Sequence, residues 1–358
     1  MSLQPRHKCL FLFNELAGYL VACLKKLAER PDVEVHVVRW PVNAEAPFKL
    51  SFEGSNITMY ERKDYTEKQL VELAIRINPD VIMTSGWIDK GYNAVCKHFH
   101  GKINTVLGFD NPWRNTLKQN IAGMFGHLWL RNFFSHCWLP GAPQKKYALK
   151  LGFREEVIRE GIYSCDFDAF HKEYHKNRKS KEQSFPKKII YVGRYIPLKG
   201  VIELWTAFVK FQEEQPSDWE LWCLGKGDLE DKIPVHDKIK NIGFVQPHDM
   251  HKYISQCGVF ILPSHYDNWG VVIHEFAAAG YPLLCSTAPV ATSTYLKEGY
   301  NGFEIEPYSM ESILDAFKKI NATSPKDLLL MGDRSAEMAK KYSPATWSDT
   351  FMSFIKAN

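Results

Sequence analysis

The sequence predicts an α/β protein built from two parallel-sheet units, and three observations carry that prediction. Short apolar runs alternate with stretches of helical spacing along both halves. A polar, charge-rich segment, residues 171–188, interrupts the alternation. Formal charge changes sign across it. Residues 1–170 carry 22 Lys and Arg against 18 Asp and Glu, residues 171–188 carry 7 against 2, and residues 189–358 carry 16 against 21. A chain of 358 residues accommodates about two domains of ~150 residues. The expected division is a domain over 1–170, a linker over 171–188 and a domain over 189–342, with a final helix, 343–358, packing back on the first domain.

In the first half, Cys9–Phe13, Val33–Val38, Val81–Thr84, Ile103–Leu107 and Cys137–Leu139 have the length and composition of buried strands. After the first of them, Leu16, Leu20, Cys23, Leu24 and Leu27 recur at helical spacing. The segment Asn115–Phe134 reads as an apolar helix carrying Lys118 and Arg131. It is expected to be buried near a cleft between the domains, with docking on a membrane surface as the alternative. In the second half the strands are Ile189–Val192, Glu220–Leu224, Val259–Leu262 and Pro282–Cys285. Val201, Leu204, Trp205, Phe208 and Phe211 mark the helix after the first of these, and Ser343-Pro344 opens the last helix.

Composition narrows the function classes. At 45% hydrophobic and 24% charged residues the chain is neither disordered nor fibrous. No run approaches the ~20 apolar residues that span a bilayer. Cys9–Phe13 is too short for the core of a signal peptide, so the expected location is cytoplasmic. Eight cysteines without a C-x-x-C pair read as buried thiols. The pairs His98/His100 and His171/His175 lack neighbouring ligands, so no metal is expected. The mild positive charge of the first half suits an anionic partner such as a lipid-phosphate surface, and is too weak for nucleic acid.

Two segments carry chemistry. In IIYVGRYIPLKG, Ile189 to Gly200, a buried strand ends at Gly193, Arg194 follows, and Lys199-Gly200 opens the next helix. Ligands of open α/β sheets bind outside the carboxyl ends of strands. Two cations beside a helix N-terminus there suit a diphosphate. In VFILPSHYDNWGVVIHEFAAAGYPLLCS, Val259 to Ser286, a strand leads through a Pro-Ser loop to a helix starting near Gly270. Asp267 lies ahead of that helix and Glu275 within it. A carboxylate there can accept two hydroxyl hydrogens from a ribose or a sugar. The N–H groups of Trp269, Gly270, Val271 and Val272 are expected to be free for phosphate.

The pair G-R…K-G and the later P-S-x-x-D-x-W-G-x-x-x-x-E-x-x-A-x-G-x-P resemble the retaining, nucleotide-sugar-dependent glycosyltransferases of the GT-B fold, family 4. LWCLGKGDLEDKI (Leu221–Ile233), NIGFVQPHDMHKYISQ (Asn241–Gln256) and TYLKEGYNGF (Thr294–Phe303) extend the likeness over nearly all of 185–345. The first half resembles the family only in outline.

The resemblance implies two Rossmann-like domains facing a central cleft, the first for the acceptor and the second for the donor. Arg194 and Lys199 would neutralise the donor diphosphate, Glu275 hold the ribose hydroxyls, and Asp267 sit beside the transferred sugar. Backbone around Trp269, Gly270 and Val271 would grip sugar and phosphate. Phe244 and Val245 would line the base pocket, and Gly225 and Gly227 would let the backbone approach the nucleotide. Asp267 stands where Glu is commoner. Where many members place a His, this chain has GFDNPWRN, making Asp110 a candidate for the acceptor hydroxyl or the sugar, or else a helix cap. Arg114 is a candidate for an anionic group, Trp113 and Trp87 for stacking on a sugar, and Gly18 for close backbone approach. Asp166 and Asp168 form a D-x-D outside the context a metal site requires.

The expected reaction is sugar transfer from a nucleotide-diphosphate donor to a saccharide or lipid-linked acceptor, with retention and no cofactor or metal. The family's setting implies capsule or envelope polysaccharide synthesis, at the inner membrane face or in the cytoplasm. A nucleotide-sugar epimerase of the same fold and a catalytically silent binding protein are the rivals. A nicotinamide dehydrogenase is disfavoured because no G-x-G-x-x-G opens either half.

Overall fold

The structure, a computed structural model, describes residues 7–14, 16, 18–41, 52 and 54–356. These divide into two compact units, one within Met1–Ser164 and Tyr342–Asn358, the other Cys165–Lys341. The boundaries therefore fall at 164/165 and 341/342, rather than at 170 and 188.

The first unit holds β1 (His7–Phe13), α1 (Gly18–Ala28), β2 (Val33–Arg39), β3 (Ile57–Glu61), α2 (Glu67–Ile77), β4 (Val81–Ser85), α3 (Lys90–Phe99), β5 (Asn104–Gly108), α4 (Leu117–Trp129), β6 (His136–Leu139), α5 (Ala142–Lys150) and β7 (Ile158–Glu160). Its sheet has the order β3-β2-β1-β4-β5-β6-β7, with every pair parallel. The second unit holds α6 (Phe167–Gln183), β8 (Lys188–Val192), α7 (Val201–Glu214), β9 (Glu220–Leu224), β10 (Ile239–Gly243), α8 (His251–Ile254), β11 (Val259–Leu262), α9 (Val271–Ala278), β12 (Leu283–Ser286), α10 (Thr292–Tyr295), β13 (Gly302–Ile305), α11 (Met310–Ala322) and α12 (Pro325–Ala339). Its order is β10-β9-β8-β11-β12-β13, again all parallel. Both sheets are the doubly wound arrangement, with the order reversing beside β1 and beside β8. Side chains of β1, β2, β8 and β11 are almost entirely buried, as strands covered on both faces require.

The last helix, α13 (Pro344–Met352), returns to the first unit. Trp347 donates from Nε1 to the Ile162 carbonyl at 2.8 Å, and Phe351 packs on Phe11. All eight cysteines are buried, and none is in a disulfide.

Two expectations are corrected. The segment 171–188, expected as a linker, is mostly α6. Asp166 caps that helix by accepting from the Ala169 N–H. Its inward stripe is Phe167, His171, Tyr174, Arg178 and Lys181, spaced as a helix face but made of polar and aromatic residues. Tyr174 and Arg178 both bond Asp333 of α12, and Lys181 lies 3.9 Å from the centre of the Tyr281 ring. The second correction is α4, expected to be buried. Of its residues only Gly126 is, and its large apolar side chains face solvent.

Candidate functional site

In the second unit the sheet order reverses between β8 and β11, and the loops leaving those two strands are the two motif segments. Such a reversal leaves a crevice at the carboxyl ends of the strands.

The loop after β8 is fixed from several sides. Tyr191 donates from Oη to the Arg194 carbonyl at 3.0 Å, and the Tyr195 N–H donates to the Lys226 carbonyl at 2.9 Å. Arg194 itself is exposed. A 3-10 turn, Pro197–Lys199, follows and ends at Gly200, whose φ of 66° opens α7. A Cβ on Gly200 would come within 2.3 Å of the Pro263 carbonyl oxygen at the end of β11. Only glycine allows the two loops this approach.

That approach sets the central contact. Lys199 Nζ lies 2.5 Å from Asp267 Oδ2, with both side chains about four-fifths buried. Asp267 Oδ1 also accepts the Trp269 N–H at 3.2 Å. The Trp269 N–H, expected to be free, is therefore occupied; the carboxylate shapes the turn into α9. The N–H groups of Val271 and Val272, at the start of α9, meet no acceptor among the described residues. This helix start, with its partial positive charge, stands beside the Lys199–Asp267 pair. One turn further along α9, burial pushes the Glu275 carboxyl up to about 7, and the Asp166 carboxylate adds to the rise.

Gly225 and Gly227 have a packing reason of their own. A Cβ on Gly225 would come within 1.9 Å of the Gly193 carbonyl oxygen, and one on Gly227 within 2.4 Å of the Tyr195 oxygen. These glycines let the loop after β9 press against the loop carrying Arg194. Phe244 and Val245 follow β10, two strands from β8, which is about 10 Å across the sheet.

Sequence reasoning missed two histidines. His265 packs beneath the 197–200 turn: its N–H donates to the Leu198 carbonyl, its Nδ1 accepts the Tyr308 N–H, and its Nε2 lies 3.0 Å from Glu203. His274, fully buried, accepts the Cys165 N–H at Nδ1 and donates from Nε2 to the Ala339 carbonyl. It thus ties the start of the second unit to its end. A lone histidine in a sequence carries no signal of either role.

In the first unit the order reverses between β1 and β4. Gly18, which opens α1, and Trp87 follow those two strands. Trp87 meets Phe109 edge-on at 5.4 Å. Asp110 follows β5; its Oδ2 accepts from Tyr163 Oη at 3.3 Å. It does not cap α4, because Thr116 does, accepting the Gln119 N–H. Trp113 is half-buried against Tyr147, with Lys150 Nζ 4.8 Å from its ring centre, which leaves less of the ring for stacking. Arg114 is exposed.

Residues 173–335 match the family model described as glycosyl transferases group 1. An uncharacterized glycosyltransferase of Methanocaldococcus jannaschii is 26% identical over 198 residues, covering 52% of this chain and 50% of that protein. A putative teichuronic acid biosynthesis glycosyltransferase of Bacillus subtilis is 24% identical over 169 residues, 47% of this chain and 42% of its own. The chain spans about half the length of the curated relatives it matches. Among solved structures, Anabaena HepE in complex with UDP and glucose superposes with a TM-score of 0.70 at 15% identity, over 97% of this chain and 98% of that one. A glycosyltransferase from Rickettsia africae gives 0.75 at 13% identity, over 98% of each. The fold is thus the GT-B one, two Rossmann-like domains, and the sequence signature of group 1 glycosyltransferases lies in the second unit.

Proposed function

We propose that this chain is a retaining, metal-independent glycosyltransferase of family 4, moving a sugar from a nucleoside diphosphate to a saccharide or lipid-linked acceptor in envelope polysaccharide synthesis. The observation that carries the reading is the Lys199–Asp267 pair at the strand-order reversal, beside the open N–H groups of α9. As the glycosidic bond stretches, negative charge grows on the departing diphosphate. Lys199, Arg194 and the start of α9 then meet that charge without rearranging, which is where preorganised electrostatics lower a barrier. Asp267 holds Lys199 in place and offers its remaining lone pairs to a sugar hydroxyl. A carboxylate already bonded to an ammonium and an N–H is a poor covalent nucleophile, which favours attack by the acceptor on the face the diphosphate leaves. Glu275 accepts the ribose hydroxyls, Phe244 and Val245 take the base, and Asp110, Trp87, Trp113, Arg114 and Gly18 serve the acceptor. The UDP bound in HepE supports a uridine donor, and the teichuronic acid relative supports the envelope setting.

The test is incubation with a panel of UDP-sugars, with and without saccharide acceptors, in EDTA. The expected result is acceptor-dependent UDP release and a product that keeps the donor's anomeric configuration by NMR. Isomerised donor without acceptor identifies an epimerase instead, and binding without turnover a silent protein.

A further inference from the structure

We propose that α4 is an interfacial anchor that seats the first unit on a bilayer containing anionic phospholipid. The helix is amphipathic with its small residues turned inward. A Cβ on Gly126 would lie 3.0 Å from the Leu151 side chain, and one on Gly123 3.5 Å from the Lys150 carbonyl oxygen. This close seat against the end of α5 leaves the large residues outside. Leu117, Ile121, Met124, Phe125 and Leu128 fall on one helical stripe, and they are 78%, 51%, 63%, 52% and 62% exposed. A contiguous apolar patch of this kind marks an interaction site.

Charge identifies the occupant. From Asn115 to Arg154 the chain has no Asp or Glu, but has Lys118, Arg131, Lys145, Lys146, Lys150 and Arg154. Lys145 is satisfied by Glu155 at 2.6 Å, and Arg154 lies 4.0 Å from Glu156. Lys118, Arg131 and Lys146 are exposed and make no ion pair among the described residues. An apolar stripe flanked by unpaired cations matches acyl chains beneath anionic headgroups. A second copy of this chain would instead set cations against cations. With 13 residues α4 is about 20 Å long, short of the ~30 Å hydrocarbon core, so it lies in the interface plane. Just beyond α4, a cavity of about 140 Å³ is lined by His100, Arg131, Ser135 and Arg154. Arg131 and Arg154, both on its lining, give the cavity the positive charge that a lipid phosphate would meet.

The inference stands apart from the transfer reaction, because its readout needs no donor. The full chain is co-sedimented with vesicles of phosphatidylcholine alone, and with vesicles one-third phosphatidylglycerol. Binding is expected only to the second kind, and to weaken as salt rises. Phe125→Glu with Leu128→Glu, and separately Lys118→Glu with Arg131→Glu, should each lower partitioning by about tenfold or more while the melting temperature is kept. Equal binding of the wild type to both vesicles, binding to neither, or unchanged partitioning of the apolar double variant overturns the proposal. So does a wild-type dimer that the apolar double variant dissolves, which would give the stripe to a second copy.

Discussion

Replacing Glu275 by Gln removes a carboxyl whose ionised form the fold disfavours by burial. Burial, with Asp166 adding, raises its pKa from the usual 4.5 to about 7. A carboxyl whose pKa is raised on folding takes up a proton in the folded state. Stability from this group is therefore fully present below about pH 4.5 and lost as pH rises through about 7. At about 1.4 kcal/mol per pH unit, that interval sets a ceiling of about 3 kcal/mol. The carboxyl keeps some access to solvent, so about 1–2 kcal/mol is the effect to look for. Urea unfolding of the ligand-free protein at pH 5 and pH 8 measures it. E275Q should match the wild type at pH 5 and exceed its stability at pH 8. With UDP at saturation the order at pH 8 should reverse, because only the ionised carboxylate accepts both ribose hydroxyls. Parallel pH profiles for the two proteins without ligand would refute this reasoning.

Gly227→Ala should drive a methyl into the Tyr195 carbonyl and shift the loop carrying Arg194, costing about 1–3 kcal/mol and weakening UDP binding together. Calorimetry and urea unfolding on one preparation check both effects. His274→Ala should strand the Cys165 N–H and the Ala339 carbonyl, each a loss of about 1–3 kcal/mol, without touching the proposed diphosphate contacts. An unchanged unfolding midpoint would contradict the role given to that ring.

Much of the fold was legible because parallel strands buried on both faces leave uninterrupted apolar runs. Val259–Leu262 is β11 to the residue, and Glu220–Leu224 is β9. The edge strand β3, with its side chains half-open, and the three-residue β7 leave no such run and were missed. Helix α6 was hidden because its packed stripe uses Tyr, Arg and Lys in place of aliphatic residues, burying stems while hydrogen-bonding the tips. For α4 the helix was legible but its orientation was not. Apolar content suggested burial, whereas the glycines at 123 and 126 decide which face packs. At the site, Lys199 and Asp267 were each legible as site residues, but their direct contact was not, because it depends on the two loops closing on each other at Gly200. The occupied Trp269 N–H could not be foreseen, because it depends on a two-residue turn of the Asp267 side chain.

The most direct measurement is a calorimetric titration of UDP into the wild type and Lys199→Ala. A charge-assisted phosphate contact is worth roughly 1.5–3 kcal/mol, so the wild type should saturate at one UDP per chain and the variant bind about ten- to a hundredfold more weakly. Equal affinity in two folded proteins would mean that the ammonium beside Asp267 serves only to pin its own turn, and that no leaving pyrophosphate is received there.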